Sequence, residues 1–297
     1  MLKSLYSGIS GMKGFQTKLD VIGNNIANVN TVGFKKGRVM FQDIINQNIS
    51  GATAPTAQTG GINPKQVGLG TRIGSIDTIH TPGSPMTTNI GTDLAIDGDA
   101  YFIVTPEVGS GANYLTRAGN FTRDASGDLV NSNGYFVTGV YKDGTGATQY
   151  QKINITEDVN GGRFTSYSID SNGFINVVRE DGASGKLAYN GTGYYLSTDG
   201  NSEENISIAT ATVSNPGGLS KVGNTLYETT GNSGNSVMGR IEDINGGHIA
   251  AGILEMSNVD LTEEFTELIV AQRGFQANAR TITTSDSILE EVVNLKR

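Results

Sequence analysis

Apolar residues recur at intervals of three and four in only two places, the two ends of the chain, and this confines regular helix to the termini. At the N-terminus the seam reads Leu2, Leu5, Ile9, Met12, Phe15, Leu19, Ile22, Ile26 and Val29, with one phase shift between Met12 and Phe15. Such spacing predicts a coiled-coil-like helix of about 40 Å that runs to about Val29, where Asn30, Thr31 and Gly33 favour stopping. At the C-terminus Leu261, Phe265, Leu268, Gln272, Phe275, Ala279, Ile282, Asp286, Leu289 and Val293 alternate four and three without a break. Asp260 precedes that run with Glu263 three positions on, the pattern of a capping box. Acidic Glu263, Glu264 and Glu267 come early and Lys296 and Arg297 close the chain, which suits the helix dipole at both ends. Pairing the two helices into a stalk is the simplest way to bury both seams. Polar residues interrupt them: Asn24, Asn25 and Asn28 crowd the end of the first helix, and Gln272 and Asp286 sit in the second. Asn is a poor helix former, so these positions are expected to fix register between subunits, against the plainer reading of a weak helix end.

Between the helices the pattern changes to short β-runs punctuated by Gly, Asn and Asp, which accounts for the 41 glycines among 297 residues. Leu94–Ile96, Asp97-Gly98 and Tyr101–Val104 read as one hairpin, and Asp128–Val130, Asn133-Gly134 and Tyr135–Val137 as another. Further turn signals stand at Asp143-Gly144, Asn172-Gly173, Asp181-Gly182, Asn190-Gly191 and Asp199-Gly200. The expected fold is α+β: paired terminal coiled-coil helices forming a stalk, with an all-β interior of the sandwich or barrel kind. The expected organisation is a helical domain of 1–30 with 258–297, a linker or extended arm over 31–70, a β domain of 71–141 with 206–257, and a small outer β domain or insertion at 142–205.

Composition excludes several functions. With 21 Lys+Arg against 29 Asp+Glu the net charge is −8, which argues against nucleic acid as a partner. No cysteine is present, so disulfides and thiolate sites are excluded, and the two histidines, His80 and His248, lack metal-ligand spacing. No glycine-rich phosphate loop occurs, and the acidic pairs Asp97/Asp99 and Asp124/Asp128 fit turns better than a cation loop. No catalytic, cofactor or metal set is expected. Neither a membrane-spanning run nor a cleavable secretory signal is apparent.

The ordered strings then carry more. Residues 5–36, LYSGISGMKGFQTKLDVIGNNIANVNTVGFKK, and the stretch from Leu254, LEMSNVDLTEEFTELIVAQRGFQANARTITTSDSILEEVVNLKR, resemble the terminal motifs of bacterial flagellar rod and hook proteins. DLAIDGDAYFIV at 93–104, TRAGNFTR at 116–123 and SNPGGL at 214–219, followed by GNTLYETT, are similar to the family's β domain. The ending, with Gln276-Ala277-Asn278 and the final VNL, looks like the hook version rather than the distal rod, for which the chain is also somewhat long, and the extra interior segment sits where hook proteins carry an outer domain. The resemblance implies a structural subunit, not an enzyme, that polymerises with itself into a curved hollow tube coupling rod to filament and transmitting torque. It also implies neighbours in the distal rod, hook cap and hook–filament junction proteins, and a place in the extracellular flagellum reached through the type III export apparatus. The assembly seam would comprise Leu5, Ile9, Met12, Leu19, Ile22 and Ile26 with Leu261, Phe265, Leu268, Phe275, Ile282 and Leu289; Phe41 and Ile45 resemble a short export signal. A distal rod subunit is the alternative. A more remote one is an extracellular glycan-binding β-protein, for which Tyr189, Tyr194 and Tyr195 are the candidate contacts.

Overall fold

The computed structural model describes residues 2–56, 60–107, 112–143, 146–156, 158–159, 161–199 and 203–295. Gly144 and Gly200 of two expected turns, and the closing Lys296 and Arg297, lie outside them. The chain divides into two compact units. Met1–Asn28, Lys36–Ile79 and Val259–Arg297 form a helical unit, and Val29–Lys35 with His80–Asn258 form a β unit.

The helical unit contains α1 (Leu2–Ala27), four strands, β1 (Gly37–Asp43), β2 (Asn46–Ser50), β3 (Lys65–Gly68) and β4 (Thr71–Thr78), and α2 (Leu261–Asn294). The terminal helices form where the periodicity places them. Asp260 caps α2, its carboxylate accepting from the Thr262 and Glu263 amides. Glu263 does not close the capping box by a recorded bond; its carboxylate pairs with Lys36 Nζ at 2.7 Å. The stretch expected as a linker or extended arm, 31–70, holds β1, β2 and β3. β1 pairs with β4 from Gly37↔Thr78 to Asp43↔Thr71, with an irregularity after Met40, and β2 pairs with β3.

The β unit is antiparallel throughout its recorded pairings. It opens with β5 (Pro85–Thr87), β6 (Leu94–Asp97), β7 (Tyr101–Thr105) and β8 (Tyr114–Thr116). β7 is central to the largest sheet, flanked by β8 and by Phe136–Lys142 and also joined by Thr210–Thr212. Beside it a meander runs through Phe164–Ile169, Ile175–Arg179, Ser184–Tyr189 and Tyr194–Ser197. The turns between its successive strands hold Gly173, Gly182 and Gly191 at φ of 80–87°, so the Asn-Gly and Asp-Gly signals act there as expected. The Asn133-Gly134 hairpin also forms, with Val130 opposite Phe136. The expected hairpin from Leu94–Ile96 to Tyr101–Val104 does not. β6 pairs instead with His248–Ala251, and at Gly98 the Gly246 carbonyl comes so near that a Cβ would lie 2.1 Å from it.

Leu94, Phe102, Ile103, Val137, Ile153, Leu187 and Ile206 are completely buried in this unit. Each such side chain contributes about 1.5–3 kcal/mol by leaving water, which makes this core the main source of stability.

Candidate functional site

Two features stand apart from ordinary packing: the face that joins α1 to α2, and a group of charges sealed inside the β unit. The first is built from small and polar residues. Ser4 meets Ser285, a Cβ on Gly8 would lie 3.1 Å from Ile282, one on Gly11 would lie 2.8 Å from Asn278, and one on Gly274 would lie 2.6 Å from the Phe15 ring. Lys18 pairs with Glu267, and Asn25 Nδ2 donates to Glu264 Oε2 at 3.1 Å. The helices are therefore antiparallel, and the absence of side chains at Gly8, Gly11 and Gly274 lets their backbones approach.

This packed face is rotated from the apolar seam. Ile22 is buried; Leu5, Met12, Leu19 and Ile26 are half-buried at its flank; Ile9 is exposed. On α2, Leu268, Phe275, Ile282 and Leu289 are half-buried, whereas Leu261, Phe265, Gln272 and Asp286 are exposed, Phe265 by 50%. The sequence contained the observed line as well: Ser4, Gly8, Gly11, Phe15, Lys18, Ile22 and Asn25 also alternate four and three. A search for large apolar residues passes over it.

The asparagines diverge in role. Asn25 is buried and anchors the start of β1, its Nδ2 donating to the Gly37 carbonyl at 2.9 Å and its Oδ1 accepting from the Gly37 amide at 3.0 Å. Asn28 Nδ2 donates to the Asn24 carbonyl at the helix end, and Asn24 is exposed. Beside Asn25 lies a cleft of about 270 Å³ between α1, β1 and the start of α2. Its Lys18 and Lys36 already pair with Glu267 and Glu263, so the charges on its walls are largely matched from within. Phe41 of the suggested export signal packs its ring 5.7 Å from that of Phe15, while Ile45 is 63% exposed.

The second feature was not anticipated. Lys35 and Glu255, 220 residues apart, form a fully internal ion pair with Nζ 2.5 Å from Oε1, and Arg117 Nη1 lies 3.5 Å from the other carboxylate oxygen. Burial pushes the Lys35 ammonium below its ordinary pKa, and the Glu255 charge partly offsets this. Lys35 Nζ also donates to the Thr81 carbonyl, and Arg117 Nη2 to the Gly98 carbonyl. Glu255 accepts twice more, at its backbone oxygen from the Gly33 amide (2.8 Å) and at Oε1 from the Gly83 amide (3.0 Å). Gly33, at φ 69°, could carry no side chain, because a Cβ there would lie 2.5 Å from Ala118 N. The two strings NTVGFKK and LEMSN are thus locked to one another inside the β unit. A hydrophobicity scan reads Lys35 as a surface residue; its position in a long ordered motif is the only signal that could have flagged it.

The tyrosines proposed for glycan contact are engaged in packing. Tyr189 packs edge-on against Tyr141 and tilted against Tyr194, at 5.1 and 5.0 Å, Tyr194 donates to the Lys152 carbonyl, and Tyr195 donates to Glu204. Asp124 and Asp128 serve their loop, Asp124 Oδ1 accepting from the Asp128 amide and Asp128 pairing with Lys152. No helix among the described residues is long and apolar enough to cross a membrane.

Residues 5–35 match the family model for flagella basal body rod protein, 95–177 the flagellar hook protein FlgE/F/G D1 domain, and 250–295 the flagellar basal body rod FlgEFG protein C-terminal model. The flagellar basal-body rod protein FlgG of Bacillus subtilis is 49% identical over 298 residues, covering all of both chains. In Borreliella burgdorferi the rod protein FlgG is 34% identical over 303 residues and the hook protein FlgE 32% identical over 445, again with both chains fully covered.

Proposed function

Because the chain belongs to the flagellar rod and hook protein family, we propose that it is a non-enzymatic structural subunit of the flagellar axis, serving in the distal rod. The observation that carries the choice is length: rod relatives align end to end over 298 and 303 residues against a chain of 297, whereas a hook relative requires 445. The rod relatives thus overturn the expectation that the chain is long for a rod protein, while the hook reading keeps the VNL ending and the match to hook relatives.

The mechanism follows from the rotated helix face. The α1–α2 contact uses glycines and polar groups, leaving Leu261, Phe265, Ile269 and Val270 exposed on α2 and Tyr6 and Ile9 on α1. Contiguous apolar surface of this kind marks a face made for a partner. Identical subunits joined head to tail through such faces, without closure, build a helical polymer, and Leu261, Phe265 and Ile269, four apart on one face of α2, suit a neighbouring helix. The terminal helices would form the inner wall. Electron microscopy of the concentrated full chain tests this, beside a version lacking residues 1–30 and 258–297. Straight tubes from the full chain alone support the rod, curved tubes support the hook, and no polymer from either version defeats the axial reading.

A further inference from the structure

The Asn-Gly pairs that shape the turns of the β unit carry a chemistry of their own. The backbone nitrogen that follows an asparagine can attack the side-chain carbon and close a five-membered ring, and glycine, lacking a Cβ, obstructs that attack least. Four such pairs lie among the described residues: Asn133-Gly134, Asn172-Gly173, Asn190-Gly191 and Asn245-Gly246. In three of them the nitrogen is engaged. Gly134 N donates to the Asn131 carbonyl at 3.0 Å, Gly173 N to that of Asp170 at 2.9 Å, and Gly246 N to that of Ile241 at 3.1 Å. The attacking nitrogen must surrender its proton, so each of these bonds is lost before the ring can close.

The pair at 190–191 differs in both reacting groups. Asn190 and Gly191 are exposed in the loop between Ser184–Tyr189 and Tyr194–Ser197, and the Gly191 amide donates to no acceptor among the described residues. A Cβ on Gly191 would meet nothing within 4 Å, so water reaches this nitrogen freely. The Asn190 side chain is held by its oxygen. Oδ1 accepts from Thr192 N at 3.1 Å, from Thr192 Oγ1 at 2.8 Å and from Gly193 N at 3.0 Å, while Nδ2 donates to none of the described residues. Negative charge that ring closure places on Oδ1 therefore meets donors already in position, and the leaving nitrogen is untethered. The loop is held on both sides of the pair, the Tyr189 hydroxyl donating to the Gly191 carbonyl at 3.2 Å and Asn190 N to the Gly193 carbonyl at 3.3 Å.

We propose that Asn190-Gly191 is a self-modification site, at which the asparagine converts to aspartate and isoaspartate with water as the only co-reactant. Gly191 N gives its proton to hydroxide or water and bonds to Asn190 Cγ. The bond from Cγ to Nδ2 breaks, and that nitrogen leaves as ammonia with a proton from water. Water then opens the succinimide, at Cγ to give aspartate or at the Asn190 main-chain carbonyl to give isoaspartate. Either product adds a negative charge to the loop. Isoaspartate also inserts one more carbon into the main chain of the turn that sets Tyr189 opposite Tyr194.

The test is ageing of the full chain at mildly alkaline pH, folded and in urea, with peptide mass spectrometry for the acid products and labelling by an isoaspartate-specific methyltransferase. In urea all of these pairs should convert, because the bonds that distinguish them are gone. In the folded chain, conversion at Asn190 should exceed that at Asn133, Asn172 and Asn245 by about fivefold or more, the effect of one hydrogen bond. It should rise with pH, as hydroxide takes the Gly191 proton. The exposed loop carries Asn190→Gln, whose longer side chain cannot close the five-membered ring, and this variant should lose the label from that peptide. Equal conversion at all of the pairs in the folded chain, an Asn190 that survives folded but converts in urea, or a label that persists in Asn190→Gln overturns the proposal.

Discussion

In the helical unit the packed faces carry Gly8, Gly11, Asn25, Glu264 and Ala271, while Phe265 and Val293 stand in solvent; in the β unit Phe102, Ile103 and Leu187 are sealed, and the charges inside pair with one another. The β unit has completed its own core. The helical unit uses small residues at its internal contact and leaves several large ones, Phe265 and Val293 among them, outside. Under the proposed function, the apolar residues left exposed, Phe265 above all, are the ones a partner would cover.

The comparison breaks most visibly if Phe102→Ala and Phe265→Ala behave alike. Phe102→Ala should lower β-unit stability by about 3–5 kcal/mol, through lost transfer energy and a residual cavity. Phe265→Ala should change monomer stability by less than about 0.5 kcal/mol, yet abolish or weaken polymerisation in light scattering. Next, Glu255→Gln leaves Lys35 and Arg117 buried without their counter-charge and should cost about 3–5 kcal/mol in urea unfolding. Removing one of the two cations with Lys35→Met beside it should recover part of the loss. Gly274→Leu sharpens the helical side. The helix gains about 1 kcal/mol by replacing glycine but loses about 1–3 kcal/mol by driving a side chain into Phe15. A net loss of up to about 2 kcal/mol, seen in thermal unfolding by circular dichroism, is expected. Smallest is Asp260→Ala. The Thr262 and Glu263 amides hold the Asp260 carboxyl below its usual pKa, so its contribution is present above the unfolded value and disappears as pH falls through the folded one. The variant should melt slightly earlier at pH 7 and match the native chain in strong acid.

Much of the architecture was legible because it is local. The 3–4 spacing and Asp260 place α1 and α2, and Asn172-Gly173, Asp181-Gly182 and Asn190-Gly191 place the turns of the meander, since each signal acts within a few residues of itself. The hairpin expected at Asp97-Gly98 misled for the same reason: a turn-compatible pair permits a hairpin, but β6 found a better edge in His248–Ala251, some 150 positions on. The arm expected over 31–70 likewise contains β1, whose partner β4 begins beyond it at Thr71.

By itself, then, the sequence determined the terminal helices, the β interior, the meander's turns and membership of an axial flagellar family, because periodicity, caps and long motif strings are written in neighbouring residues. Only the tertiary structure decided which helix face packs inward, because a glycine line has no hydrophobic signature and gains its meaning from what approaches it. It alone also made Lys35 a buried cation, since the carboxylate that makes its burial tolerable arrives from 220 residues away.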